Sequence, residues 1–305
     1  PQLFQKYHPQ KIIQTNELDE ERECPEPSSI TITCNKKVLY LSCKNENNHI
    51  FILTNDEIII YDKLLSFIQT IKIKKLNLMF SSSTELDEEK ELFNKFSYKN
   101  LIFEINDCKI FFIGGYFDNS LNIYFNNNTK LSFITESRIT CMQKLSNKNI
   151  FLTGHINGKI IKWKYDLSLN QNNELESIDN SSRISISKIS SVIGHNSLVQ
   201  KIEVNEELNI IISVSNDGLI IIRKLFDFEF LNFIRYNNAK MFLIDLRLDN
   251  QIVLATYYNK KEKDDINKKI QVNTYSVNGI KLGKINRNIT IPFNFKDSND
   301  KLFIF

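Results

Sequence analysis

Apolar residues recur in short runs separated by polar turns, and the stretch from Ile193 to Phe233 shows the pattern most clearly. Leu198, Ile202 and Val204 lie on one face of a first run; Ile210–Val214, Leu219–Ile222 and Leu225–Ile234 make three more. Runs of this length, rich in Ile, Val and Phe, predict four antiparallel strands rather than helices. Ser215-Asn216-Asp217-Gly218 supplies the positive φ of a tight hairpin, so the second and third runs are expected to pair directly. The same rhythm runs through Ile30–Cys34, Val38–Cys43, Ile50–Thr54, Glu57–Tyr61 and Leu65–Ile73. It returns in Phe111–Tyr124, Arg138–Tyr165, Met241–Leu248, Ile252–Thr256, Ile270–Tyr275 and Ile280–Ile285. Two stretches break it. Residues 74–98 hold Thr84–Phe93, which predicts a short helix capped by Thr84; Ser168–Arg183 is too polar to build a core. The fold class is all-β.

Composition narrows the function classes. The chain has 305 residues, 42% of them apolar and 11% aromatic, enough for a sizeable core. A net charge of +3, from 39 basic and 36 acidic side chains, leaves no electrostatic footprint for nucleic acid. Five Cys without a Cys-x-x-Cys pair fit reduced thiols in the cytoplasm. No apolar run approaches the roughly 18 residues of a membrane span. The four His include none at i, i+4 spacing, so no metal site is expected, and the eight Gly form no phosphate cradle, so no cofactor is expected. Lys260, Lys261, Lys263, Lys268 and Lys269 cluster beside Tyr257 and Tyr258, but Glu262, Asp264 and Asp265 interrupt them, as on a solvated hairpin tip.

A four-stranded unit headed by Gly194-His195, with Asp217 in its central turn, resembles a blade of a WD40 β-propeller. Gly114-Gly115, Phe117, Asp118-Asn119-Ser120 and Leu121–Tyr124 resemble the propellers that follow BEACH domains. Pro1–Pro9, with Gln2-Leu3-Phe4 and His8-Pro9, resembles the end of a BEACH domain, although Lys11 stands one place late and Tyr7 replaces the usual Pro. The resemblance implies a WD40-type propeller, seven-bladed in the complete protein and incomplete in this chain. Residues 1–27 would be the tail of the preceding domain with a linker, and 28–305 the propeller. Its blades would fall near 28–73, 97–134, 136–166, 191–234 and 238–285, with a partial one at 286–305. It further implies a non-enzymatic scaffold in membrane and vesicle traffic. The scaffold would bind other proteins, including the adjacent BEACH domain, and reach internal membranes only indirectly. The alternative is a WD40 adaptor in a ubiquitin-ligase, RNA-processing or signalling complex.

No catalytic residue is expected: His195, Ser213 and Asp217 resemble a triad only in type, because no Gly-x-Ser-x-Gly elbow is present and Ser213 lies on a core strand. The resemblance instead assigns them to a buried structural hydrogen-bond network, with Thr153 and Trp163 in the third unit and Asp118 in the second. His155 stands eight residues before Trp163, where a blade-heading histidine would stand about thirty before, and is assigned to an exposed turn. The central turns are expected on one side, making Phe117, Ile156 and Asn216 a candidate partner surface. An aromatic such as Phe117 in a turn is either a core plug or an interface anchor.

Overall fold

Alternation of apolar and polar residues, broken by Asn, Asp and Gly turns, builds five antiparallel meanders in succession. The computed structural model describes residues 32–33, 36, 38–43, 49–76, 98, 100–105, 109–146, 149–168, 183–215, 218–235, 241–249, 251–259, 270–285 and 301–302. A two-residue strand β1 (Ile32–Thr33) precedes the first sheet, which orders β2 (Tyr40–Cys43), β3 (His49–Leu53), β4 (Glu57–Asp62) and β5 (Phe67–Lys72). The second holds β6 (Ile102–Ile105), β7 (Ile110–Ile113), β8 (Ser120–Phe125) and β9 (Lys130–Ile134). The third holds β10 (Ile139–Lys144), β11 (Ile150–His155), β12 (Lys159–Ser168) and β13 (Arg183–Ile193). The fourth holds β14 (Val199–Asn205), β15 (Ile210–Ser215), β16 (Leu219–Lys224) and β17 (Phe230–Arg235). The fifth holds β18 (Met241–Asp249), β19 (Ile252–Asn259), β20 (Ile270–Ser276) and β21 (Lys281–Ile285). A last strand, β22 (Lys301–Leu302), pairs with β1 as a separate two-stranded sheet.

The third meander differs from its expected extent. Its fourth strand, β13, lies beyond the polar insertion and pairs along the whole of β12, from Lys159 with Ile193 to Ser168 with Arg183. The alternation of Ile184 and Ile186, resumed at Val192 past the register slip, carries it, although its serines dilute the apolar signal. The expected helix at 84–93, the tail and linker at 1–27 and the lysine-rich hairpin tip at 260–269 lie outside the described residues.

The inner strands of the second, third and fourth sheets bury both faces, whereas the fifth buries only the face of Val253, Ala255 and Tyr275, and each sheet shares a core with the next. Phe51, Ile58, Ile60 and Ile71 pack with Phe111, Ile113 and Tyr124 between the first and second sheets. Phe112, Leu121 and Ile123 pack with Phe151 and Tyr165 between the second and third. Leu152 and Ile160 pack with Ile202 and Ile211 between the third and fourth, and Ile212, Ile220 and Ile222 with Leu246 and Val253 between the fourth and fifth.

This corrects the expected propeller. The five four-stranded sheets are present, but none is closed into a barrel or a propeller ring. Among the described residues no core joins the fifth sheet to the first. Turn chemistry and strand spacing dictate each meander, whereas closure depends on a contact between the first and last sheets, which no local pattern encodes.

Candidate functional site

Two groups of buried polar side chains, one in the third sheet and one in the fourth, bond within the core. Thr153 and His155, two apart on β11, share a face. Trp163 Nε1 donates to Thr153 Oγ1 at 2.8 Å, and Thr153 Oγ1 lies 2.7 Å from His155 Nε2. His155 Nδ1 is 2.8 Å from the carbonyl of Ser137, so that nitrogen carries the proton and Nε2 accepts from the Thr153 hydroxyl. His155 is fully buried, and burial pushes its pKa down to about 4. The exposed-turn assignment for His155 is therefore corrected: it is the last residue of β11 and stands at the centre of the network. Its i, i+2 spacing from Thr153 was the available signal; the spacing to a distant blade head obscured it.

In the fourth sheet His195 reaches its hydroxyl from the loop before β14. Its Nε2 lies 2.9 Å from Ser213 Oγ, with both residues buried, and Asp217 lies outside the described residues. Thr153 pairs with Ile161 and Ser213 with Ile221, so two imidazoles of different origin meet hydroxyls at corresponding strand positions. Asp118 sits apart from both, at an exposed turn. It accepts from Ser120 Oγ at 2.7 Å and from Lys74 Nζ at 2.5 Å, and these bonds, Lys74 foremost, hold its carboxyl down at about 2. Asn122 Nδ2 extends this chain to Ser120 Oγ at 3.1 Å.

The turn surface is only partly assembled as expected. Phe117 is 57% exposed and is no core plug; the Arg138 guanidinium covers its ring, 4.1 Å from the centroid, while Arg138 Nε donates to the Gly115 carbonyl at 3.0 Å. Ile156 is half-buried, and Asn216 lies outside the described residues. Nearby, Glu136 accepts from Lys159 and from Lys188 at 2.7 Å, which holds its carboxyl down at about 2. Among the described residues no group of three or more His, Cys, Asp or Glu side chains could hold a metal, and no helix is long and apolar enough to cross a membrane.

A second surface was missed by sequence reasoning. In four sheets the pairing of third and fourth strands slips by one residue opposite Tyr61, Trp163, Arg223 and Tyr275. Each bulge leaves one extra residue on the fourth strand: Ile68, Ile189, Leu231 and Leu282. All four are aliphatic, and all are exposed, at 44%, 49%, 42% and 56%. A bulge twists an edge strand away from unwanted pairing, a task that a lysine performs at least as well. An aliphatic residue in all four is not required by that role.

The fourth sheet adds most to this rim. Register places Leu219 opposite Arg235, Ile221 opposite Phe233 and Arg223 opposite Phe230, all on one face. Phe230 and Phe233 are exposed with ring centroids 6.5 Å apart, and the Arg223 guanidinium lies 5.7 Å from the Phe230 centroid. Phe226, in the preceding turn, is 81% exposed.

No family model matches the chain, and no curated protein matches it. The BEACH–WD40 resemblance is corrected accordingly. Its motifs are short turn signatures that any tight hairpin can satisfy, and with neither a family match nor a closed ring, the trafficking role and the WD40-adaptor alternative lose their ground.

Proposed function

We propose that this chain is a protein-binding module of the cytoplasm, without chemistry of its own, that engages partners along the outer rim of its sheets. The observation that carries this is the recurrence of an exposed aliphatic residue at the bulge of four fourth strands, Ile68, Ile189, Leu231 and Leu282. Scattered apolar residues are ordinary on a surface, but repetition at one structural position gives a partner equivalent contacts from sheet to sheet. The buried polar groups described above support the same reading, because His155, Thr153, Trp163, His195 and Ser213 are committed to one another in the core.

The test replaces each bulge residue singly by Ser and compares cross-linked partners by quantitative mass spectrometry. At least one partner should be lost from at least two of the four variants, with thermal midpoints unchanged. Identical partner sets in all four and in the parent chain would sink the proposal.

A further inference from the structure

We propose that the stripe Arg223–Phe230–Phe233–Arg235 on the fourth sheet docks an extended peptide of a partner protein. That peptide carries two acidic residues four positions apart with an aromatic or aliphatic residue midway. The inference rests on the rim being a protein-binding surface and names the chemistry bound at one part of it.

Arg223 holds its charge half-buried without a counter-ion. Its Nη1 donates to the Phe228 carbonyl at 3.0 Å, its Nε is enclosed and donates to nothing, and no carboxylate pairs with it among the described residues. Burial alone pushes its pKa down, with no acidic neighbour to raise it. Arg235, at the other end of the stripe, is exposed and likewise forms no ion pair among the described residues. Two register steps of two residues separate the arginine positions, about 13 Å along the strands. In an extended peptide, residues i, i+2 and i+4 point to one side at that same spacing. Two carboxylates would meet the arginines, and the residue midway would lie on the Phe230 and Phe233 rings. Charge complementarity thus selects the occupant, and a carboxylate on Arg223 gains the strength of a partly desolvated, charge-assisted bond.

An anionic bilayer fits less well. Asp227 and Glu229 are exposed beside Phe226 and Phe230, and a bilayer would press a sheet of anionic headgroups on both, whereas the peptide presents one carboxylate to each arginine; among the described residues Glu229 is also paired with Lys224.

The experiment measures fluorescence anisotropy of labelled Thr-Glu-Thr-Phe-Thr-Glu-Thr against the full chain, with Thr-Lys-Thr-Phe-Thr-Lys-Thr as counterpart. The acidic peptide should bind at least about tenfold more tightly than the basic one. Arg235→Glu touches no buried group and should weaken the acidic peptide about fivefold, with recovery by one of the two peptides carrying a single Glu-to-Lys change. Arg223→Gln, checked for folding by circular dichroism, should weaken it further. No binding, equal binding of both peptides, or indifference to Arg235→Glu overturns the proposal. Binding to phosphatidylserine vesicles that Phe230→Ser abolishes, without peptide binding, overturns it in favour of a lipid surface. If the peptide arms fail while the bulge variants still lose partners, only this inference falls; if those variants keep every partner, the reading beneath it falls too.

Discussion

A buried imidazole with both nitrogens satisfied makes His155 a sensitive residue. His155→Ala leaves Thr153 Oγ1 and the Ser137 carbonyl without that partner in the interior, costing about 1–3 kcal/mol. His195→Ala should cost a similar amount through Ser213, and a chemical-denaturation midpoint that moves for only one of the two would contradict this. Protonation makes a sharper test. The His155 pKa falls from its ordinary 6.5 to about 4 on folding because burial disfavours the charged ring. Between those values the unfolded chain takes up the proton and the folded one does not, so stability is full above pH 6.5, declines as pH falls towards 4, and levels off below. The difference converts to about 3 kcal/mol. Stability measured from pH 7 to 4 should therefore fall more for the parent chain than for His155→Gln; parallel curves would refute the assignment. Asp118 and Glu136, each held down at about 2, stay charged in the folded chain throughout this window, and whatever the protonation of their unfolded forms near pH 4 removes is common to both curves. His195, Ser213, Thr153 and Trp163 were singled out as hydrogen-bonding residues only through the likeness of their order, Gly-His then hydroxyl and ring on successive strands, to a propeller blade; no local property of the four residues marks them. His155 was not among them, since its role depends on Ser137 and Trp163, which the sheet brings together from 18 and 8 positions away in the sequence.

Each meander owes its shape to turns that tolerate no substitution at certain points. Gly158 has φ +78°, and a Cβ there would lie 1.9 Å from the His195 carbonyl oxygen. Its own carbonyl accepts from the amides of Gly194 and His195, at 3.1 and 3.2 Å, so this turn fastens the third sheet to the loop that leads into the fourth. Gly158→Ala should destabilise the fold by more than about 2 kcal/mol, combining left-handed strain with a backbone clash. Gly194 lacks both penalties: the nearest atom to its added Cβ would be Ile160 Cδ1 at 3.5 Å, and Gly194→Ala should stay within about 1 kcal/mol. Equal losses in thermal midpoint would show that the turn yields more readily than its geometry implies. Most strands were legible from alternation and from Asn, Asp and Gly between them. The bulges were not, because a one-residue slip leaves the composition of a strand unchanged; Ile68, Leu231 and Leu282 each stand second in their strands, but Ile189 lies past the middle of the longer β13, so no shared sequence position marks the four.

At the scale of the molecule, the two-residue β1–β22 pair aside, the described cores pass cohesion from neighbour to neighbour. Each of the four cores joins two consecutive sheets, and Phe51 belongs only to the first of them while Leu246 belongs only to the last. The sequence could announce a repeating unit but not its closure, because the residues that would have to meet across a ring are the most distant in the chain. A linear series of interfaces behaves as a sum of local terms, so damage to one should spread to adjoining sheets and fade beyond them. Phe51→Ala removes a side chain packed edge-on against Phe111, 5.2 Å between centroids, and should cost about 3–5 kcal/mol. Native-state hydrogen exchange should then show weakened protection in β2–β4 and β6–β8, with the amides of β15, β16, β19 and β20 exchanging as before. Leu246→Ala should give the mirror image, weakening β15, β16, β19 and β20 while sparing β3 and β4. A uniform loss of protection across all five sheets in either variant would mean that they unfold as one unit, and that cohesion does not run through these four cores alone.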